Sequence, residues 1–250
     1  MSTKTIFISG SSRGIGKACA LLFARNGWHV FLNGRKQSDD LLNVFRQIKE
    51  EGLGSCEMLP GDVSDPNTVE ELFRHISKSC LSLNGTPALD VLVNNAGISY
   101  LGLLTDMTNE DWRHLLDTNL SSVFYCCRCA IPAMVSQKSG KIINISSMWG
   151  TSGASCEAAY SATKAGVHGL TRALAKELAP SNIQVNALAC GCVDTSMNSS
   201  FTEEERKTLE EEIPMGRFAS PWETAQMIYE LAGSPQYLTG QVIGFDGGFL

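Results

Sequence analysis

The run Gly10-Ser-Ser-Arg-Gly-Ile-Gly16 sits between a short β-rich segment, Lys4–Ser9, and a helical pattern that reaches about Asn26. Three glycines in seven residues interrupt both periodicities, so the chain must turn sharply from strand into helix at this point. Strand, Gly-rich turn and helix in that order build a dinucleotide-phosphate site. Gly10 permits the tight turn, Gly14 lets the backbone approach a pyrophosphate, and Gly16 allows close packing of helix on strand. The helix N-terminus then offers free N–H groups and a positive dipole end to the anion.

The same alternation continues to the end of the chain. β-rich runs at about Trp28–Asn33, Cys56–Pro60, Leu89–Val93, Lys141–Ser146, Asn182–Leu188 and Gln241–Phe245 are separated by helical patterns near 39–51, 66–80, 110–136, 158–179 and 221–233. That is the rhythm of an α/β fold. With 250 residues, 43% of them hydrophobic, one domain spanning 1–250 has enough apolar surface for a substantial core. A net charge of −6 argues against nucleic acid as the main partner. No apolar run is long enough to cross a membrane, and the first residues enter a strand without the regions of a signal peptide. Nine cysteines, an odd number without zinc-like Cys/His spacing, fit a reducing cytoplasm and give no metal site.

The second strand ends in Gly34-Arg35, where NAD sites usually carry an acidic residue for the ribose 2′-hydroxyl. A missing carboxylate plus a guanidinium suits a 2′-phosphate, with Arg13 as a second cation, which favours NADPH over NADH. The alternative is that Arg35 faces solvent and Ser12 or the backbone discriminates. Asp62 is placed to accept from an adenine amino group with Val63 packing on the ring, or else to cap the helix that follows, a task that Ser64 or Asp65 can equally perform. Asn94-Asn95-Ala96-Gly97 closes the fourth strand, and small residues there suit close approach of the backbone to a cofactor. Asn94 either joins that contact or ties neighbouring strands together. Asn119, in the interior of a long helical pattern, can open the helix and hold a water beside Lys164.

The chemistry points to Ser146–Lys164. Ser147 lies thirteen residues before Tyr160, and Lys164 lies four after it, on the same helical face. A phenol with an ordinary pKa near ~10 is a weak acid at neutral pH, and a neighbouring ammonium is expected to lower it into a usable range. A hydroxyl from Ser147 can hold a carbonyl oxygen beside the phenol, which equips the site to reduce a ketone or oxidise an alcohol with a cofactor's hydride. Trp149–Glu157, rich in Gly, Ser and Ala, can fold over a ligand. Residues 196–220 are the least regular stretch. Within them Thr202–Glu212 reads as an acidic helix, solvated by composition but placed as part of a lid over the substrate at 190–220.

Taken together, SGSSRGIG at 9–16, GDV at 61–63, NNAG at 94–97, Asn119, ISS at 145–147, YSATK at 160–164 and TGQVIGFDGG at 239–248 resemble the short-chain dehydrogenase/reductase family from end to end. The resemblance implies a Rossmann-type doubly wound fold with a seven-stranded parallel sheet. It also implies Asn119, Ser147, Tyr160 and Lys164 as the catalytic group, with Tyr160 protonating the carbonyl oxygen. Around the cofactor it adds Ile15, Ala96, Gly191, Val193 and Thr195 to the residues above, and around the substrate it adds Trp149 and Glu157. Cys190 departs from the family's usual Pro before Gly191. Family members are commonly tetramers. Within the family the chain is most similar to bacterial 3-oxoacyl-acyl-carrier-protein reductases, which implies a small-molecule or carrier-bound ketone as substrate. Pro132 and Ser181, however, stand where those enzymes often have Arg. Residues 147–161 also resemble a Firmicutes branch that reduces a 5-aminopentanone group on elongation factor P, where Glu157 would meet the substrate's amine.

Overall fold

Seven strands form one parallel sheet in the computed structural model, which describes residues 3–199 and 201–250. They are β1 (Thr5–Ile8), β2 (His29–Gly34), β3 (Ser55–Pro60), β4 (Val91–Asn94), β5 (Gly140–Ser147), β6 (Ile183–Cys190) and β7 (Val242–Phe245). Their order is β3-β2-β1-β4-β5-β6-β7, so the winding reverses between β1 and β4. In such sheets a ligand crevice opens outside the carboxyl ends of the strands at the reversal.

β1 reads Thr-Ile-Phe-Ile and is buried throughout. That is why it shows no polar–apolar alternation: parallel strands are covered on both faces. Ile6 and Ile8 enter one core with α1 (Gly14–Arg25), α2 (Asp39–Glu51) and α9 (Pro221–Gly233). Phe7 enters the other, meeting Phe73 of α3 (Pro66–Asn84) edge to face at 5.4 Å, with α5 (Ser122–Gln137) and α7 (Ala158–Leu178) completing that layer. Each large apolar side chain buried this way contributes about 1.5–3 kcal/mol relative to exposure.

The helix boundaries have local causes. Ser38 caps α2 by accepting from Leu41 N at 3.3 Å, and Gly52 ends it in the left-handed region. Asp65 caps α3, accepting from Thr68 N at 2.8 Å, with Pro66 in the first turn. The expected helix at 110–136 is divided. α4 (Asn109–Leu116) passes into a wide turn at Asp117–Ser121 before α5 begins, and Asn119 lies in that turn. Such one-turn insertions are frequent at functional sites. Among the described residues no helix is long and apolar enough to cross a membrane.

The stretch 196–220 is more anchored than its sequence suggests. Val193 bridges Ala219, and Ile213 and Phe218 are buried. Between them α8 (Glu203–Glu212) starts at a capping box made by Thr202 and Glu205. Residue 200, within the expected lid, lies outside the described residues.

Candidate active site

The Gly-rich loop is held from three directions. Asn95 Nδ2 donates to the carbonyls of Ser9 and Gly10 at 2.9 and 3.1 Å, and Ser9 Oγ accepts from Asn95 N and Ala96 N at 2.9 and 3.0 Å. Asn33 Oδ1 accepts from Gly10 N at 3.3 Å. Neither Asn33 nor Asn95 is among the sequence candidates, because a lone Asn at a strand end is also an ordinary turn residue. The glycines are needed where they stand. A Cβ on Gly16 would lie 2.3 Å from the Gly10 carbonyl oxygen and 2.6 Å from Asn95 Nδ2. Gly10 and Gly14 have φ of +66° and +54°, a region that side chains resist. Gly14 also faces Thr195, whose Cγ2 would be 3.2 Å from an added Cβ. The loop of Gly191, Val193 and Thr195 therefore returns to the cradle. This backbone surface fits a pyrophosphate.

Arg13 and Arg35 are exposed, and among the described residues neither makes an ion pair. An added Cβ on the buried Gly34 would lie 3.8 Å from Ser12 Cβ, so Gly34-Arg35 adjoins the loop that carries Ser12, Arg13 and Ile15. Asp62 is occupied locally: its Oδ1 accepts from Ser64 N at 2.9 Å and Ser64 Oγ at 2.7 Å. Val63 is buried in the core cluster that also holds residues of α3. Asn94 takes the strand-tying role, with Nδ2 donating to Asn144 Oδ1 of β5 at 2.8 Å. Its neighbours Ala96 and Gly97 remain at the crevice.

At the carboxyl end of β5, Ser147 is buried opposite Cys190 in the β5–β6 register. Cys190 keeps β6 running to this point and accepts from Met148 N at 2.9 Å. One turn apart on α7, Tyr160 and Lys164 approach the same end of the sheet. Lys164 Nζ donates to the Ile145 carbonyl at 3.1 Å and lies 5.6 Å from the Tyr160 ring centroid. Asn119 is buried; its Oδ1 accepts from Ile98 N and its Nδ2 donates to Ile98 O, both at 2.8 Å. A Cβ on Gly97 would be 3.4 Å from Asn119 Oδ1 and 3.6 Å from Lys164 Nζ, so Gly97 leaves open the space between those two side chains. The four residues converge from β5, α7 and the wide turn before α5.

Burial sets their protonation. It raises the Tyr160 phenol well above its ordinary value; the Ser147 hydroxyl pulls the other way, while Glu157 and the Cys190 thiol add to the rise. Burial lowers Lys164 to about 8, with Cys190 opposing. The phenol is thus raised where the sequence led us to expect it lowered by Lys164, because desolvation outweighs the other effects in this arrangement. Both groups have lost water, and desolvation disfavours phenolate and ammonium alike. Beneath them His168, which the sequence reading passed over, joins Nε2 to Ser146 Oγ at 2.8 Å. A Cβ on Gly150 would lie 2.7 Å from the His168 ring, so the turn carrying Trp149, α6 (Trp149–Ser152), sits directly on α7.

α6 and the C-terminal tail meet beside Ser147, and α8 reaches the loop that follows β6. Trp149 N donates to Ser147 Oγ at 3.2 Å, and the Trp149 ring meets Phe249 edge to face at 5.5 Å. Arg206 of α8 bonds Asp194 at 2.9 Å and Glu210 at 3.0 Å, tethering the helix to the loop that borders the cradle.

A dinucleotide cradle and a Ser–Tyr–Lys–Asn group at adjoining strand ends have parallels among known proteins. The family description "short chain dehydrogenase" matches residues 4–206. The 3-oxoacyl-acyl-carrier-protein reductase FabG of Thermotoga maritima is 40% identical over 249 residues, covering 99% of this chain and 98% of its own. An uncharacterized oxidoreductase of Bacillus subtilis, YmfI, is 35% identical over 247 residues, 98% of each chain. The solved structure of YwfH, an NADPH dependent reductase involved in bacilysin biosynthesis, is similar with a TM-score of 0.91 at 28% identity, covering 100% of this chain and 99% of that one. The chain belongs to the short-chain dehydrogenases and is an oxidoreductase acting on carbonyl and hydroxyl groups.

Proposed function

We propose that the protein is an NADPH-dependent ketone reductase whose reaction yields a secondary alcohol, with a 3-oxoacyl thioester as its substrate. The observation that carries this reading is the half-buried Tyr160 together with the buried Ser147 and Lys164, at the carboxyl end of the sheet that also carries the glycine cradle. When bound, reduced nicotinamide supplies the hydride that the carbonyl carbon receives. The chain's own groups handle the oxygen. Ser147 holds it, and Tyr160, kept protonated by burial, delivers the proton from its hydroxyl. Lys164, near 8, still carries its charge at neutral pH and is one turn away to balance the phenolate that remains. Gly10, Gly14, Gly16 and the 191–195 loop would hold the dinucleotide, and Asn119 with its opened turn would support a water that returns a proton.

The two unpaired guanidiniums of Arg13 and Arg35 support NADPH over NADH. Arg35→Asp replaces attraction to a 2′-phosphate by repulsion, so the ratio of kcat/KM for NADPH over NADH should fall by about 10–100-fold, the value of one or two charge-assisted hydrogen bonds. Steady-state oxidation of each cofactor with acetoacetyl thioester tests cofactor and substrate together. Better use of NADH by the unmutated protein would refute the cofactor assignment, and no turnover of the thioester alongside turnover of another ketone would refute the substrate. One feature favours a second reading. α8 carries Glu203, Glu204, Glu205, Glu210, Glu211 and Glu212 beside the mouth, which suits a ketone borne on a basic partner, such as a 5-aminopentanone group on elongation factor P, better than one borne on an acidic carrier protein.

A further inference from the structure

The turn that carries Trp149 is too short to place itself. α6 has four residues, no side chain caps its start, and Gly153 ends it at a φ of +74°. A helix of that length has no stability of its own in water, so tertiary contacts must fix where it lies. Its placement bears on the reaction, because Trp149 N donates to Ser147 Oγ at 3.2 Å. A serine hydroxyl has one hydrogen and two lone pairs. With the α6 amide on one lone pair, the hydroxyl hydrogen is left free for the oxygen of a bound ketone.

Two side chains hold α6. His168 of α7 lies against it, since a Cβ on Gly150 would be 2.7 Å from His168 Cε1. Phe249 meets the Trp149 ring edge to face at 5.5 Å. The segment that delivers this ring is itself pinned. Gly191 N, in the loop after β6, donates to the Phe245 carbonyl at 2.9 Å, and Met215 N donates to the Gly247 carbonyl at 3.2 Å. Gly248 N donates to Asp246 Oδ1 at 3.0 Å, and a Cβ on Gly248 would lie 3.5 Å from Pro214. Phe249 thus arrives at the Trp149 ring from a fixed base. Both residues are half-buried, so their contact adds little to the stability of the whole fold. What it restrains is the amide that orients Ser147.

We propose that, granting the ketone reductase reading, Phe249 is a positioning residue for the reaction: through the Trp149 ring it fixes α6, and through the Trp149 amide it orients the Ser147 hydroxyl toward the carbonyl oxygen. Every ketone presents that same oxygen, so the effect of Phe249 is independent of the rest of the substrate. A ring that only lined the pocket would instead be felt by large substrates and through KM.

Two ketones of different size, acetoacetyl thioester and ethyl acetoacetate, test this with saturating NADPH. In Phe249→Ala, kcat should fall by about tenfold for both, inside the roughly 10²-fold that a misplacement of about 1 Å can cost. KM for each ketone and Kd for NADPH should stay close to those of the unmutated protein, and Tm should drop by only a few degrees. Phe249→Tyr keeps the ring and should restore kcat. Trp149→Ala keeps its main-chain amide but loses the ring, so it should lose as much as Phe249→Ala, and combining the two should cost nothing further. An unchanged kcat in Phe249→Ala, a loss confined to KM for the thioester, or additive losses in the double variant would overturn the proposal while leaving the reductase reading standing. No reduction of either ketone by the unmutated protein would overturn both.

Discussion

The two halves of the crevice are held together by different forces. On the dinucleotide side, neutral side chains clasp the backbone: Asn95, Ser9 and Asn33 each bond main-chain groups of the glycine loop or its neighbours at 2.9–3.3 Å. On the substrate side, the contacts are charged or aromatic: Arg206 with Asp194 and Glu210, Arg206 stacked on Phe218 at 4.6 Å, and Trp149 on Phe249. A backbone site must have one shape, since pyrophosphate is the same in every relative, and buried amide bonds enforce that shape. A substrate mouth is read by side-chain chemistry, and surface ion pairs worth under about 1 kcal/mol let it adjust. The contrast puts the common part of the reaction on the stiff side and the specific part on the adaptable one.

Three measurements probe the contrast. The largest effect is expected from Tyr160→Phe, which removes one oxygen from the substrate side. Turnover should fall by about 10²–10⁴-fold, the range for loss of an acid–base group, while the Kd for NADPH stays close to that of the unmutated protein. A near-normal rate would show that the proton comes from elsewhere. Gly16→Ala attacks the other side. Its Cβ meets the Gly10 carbonyl and Asn95, so overpacking should cost about 1–3 kcal/mol, seen as a lower Tm together with a weaker Kd for NADPH. Unchanged nucleotide binding would show that the cradle yields without harm.

The smallest effect is a pH dependence. Lys164 has a folded value of about 8 against 10.5 for the free side chain, so across this interval the unfolded chain binds the proton more strongly. Its penalty on folding is fully present below pH 8 and is relieved as pH rises toward 10.5. Between pH 8 and 9, below the ordinary thiol value of 9.0, urea unfolding should show stability rising more steeply in the unmutated protein than in Lys164→Met. The difference is at most about 1.4 kcal/mol per pH unit. Parallel curves would mean that Lys164 is solvated in the folded state.

Much of this was legible along the chain. The seven strands and the helices flanking them follow from local signals: glycines after β1, Ser38 before α2, Asp65-Pro66 before α3. Boundaries moved by one to four residues, as at α3, which continues to Asn84 because no breaker precedes Gly85. Ser147, Tyr160 and Lys164 were legible because a thirteen-residue and a four-residue spacing survive folding onto one strand end and one helix face. The division of the 110–136 helix into α4 and α5 was not legible, since Asn119 in the wide turn finds its partner, Ile98, outside that helix. The anchoring of 196–220 was hidden as well, since Ile213 faces Gly247 and Ala219 bridges Val193, both outside that stretch.

What the sequence by itself determined was order and spacing: strand, glycine turn and helix, then the Ser, Tyr and Lys at set intervals. These depend on sterics and hydrogen bonds within a few residues, which each segment carries with it. Tertiary structure alone decided which Asn ties strands and which clasps the loop, and that the Tyr160 phenol is held protonated while Lys164 is lowered. Those properties are set by how much water each group loses and by which charges surround it, and both come from segments far away in the chain.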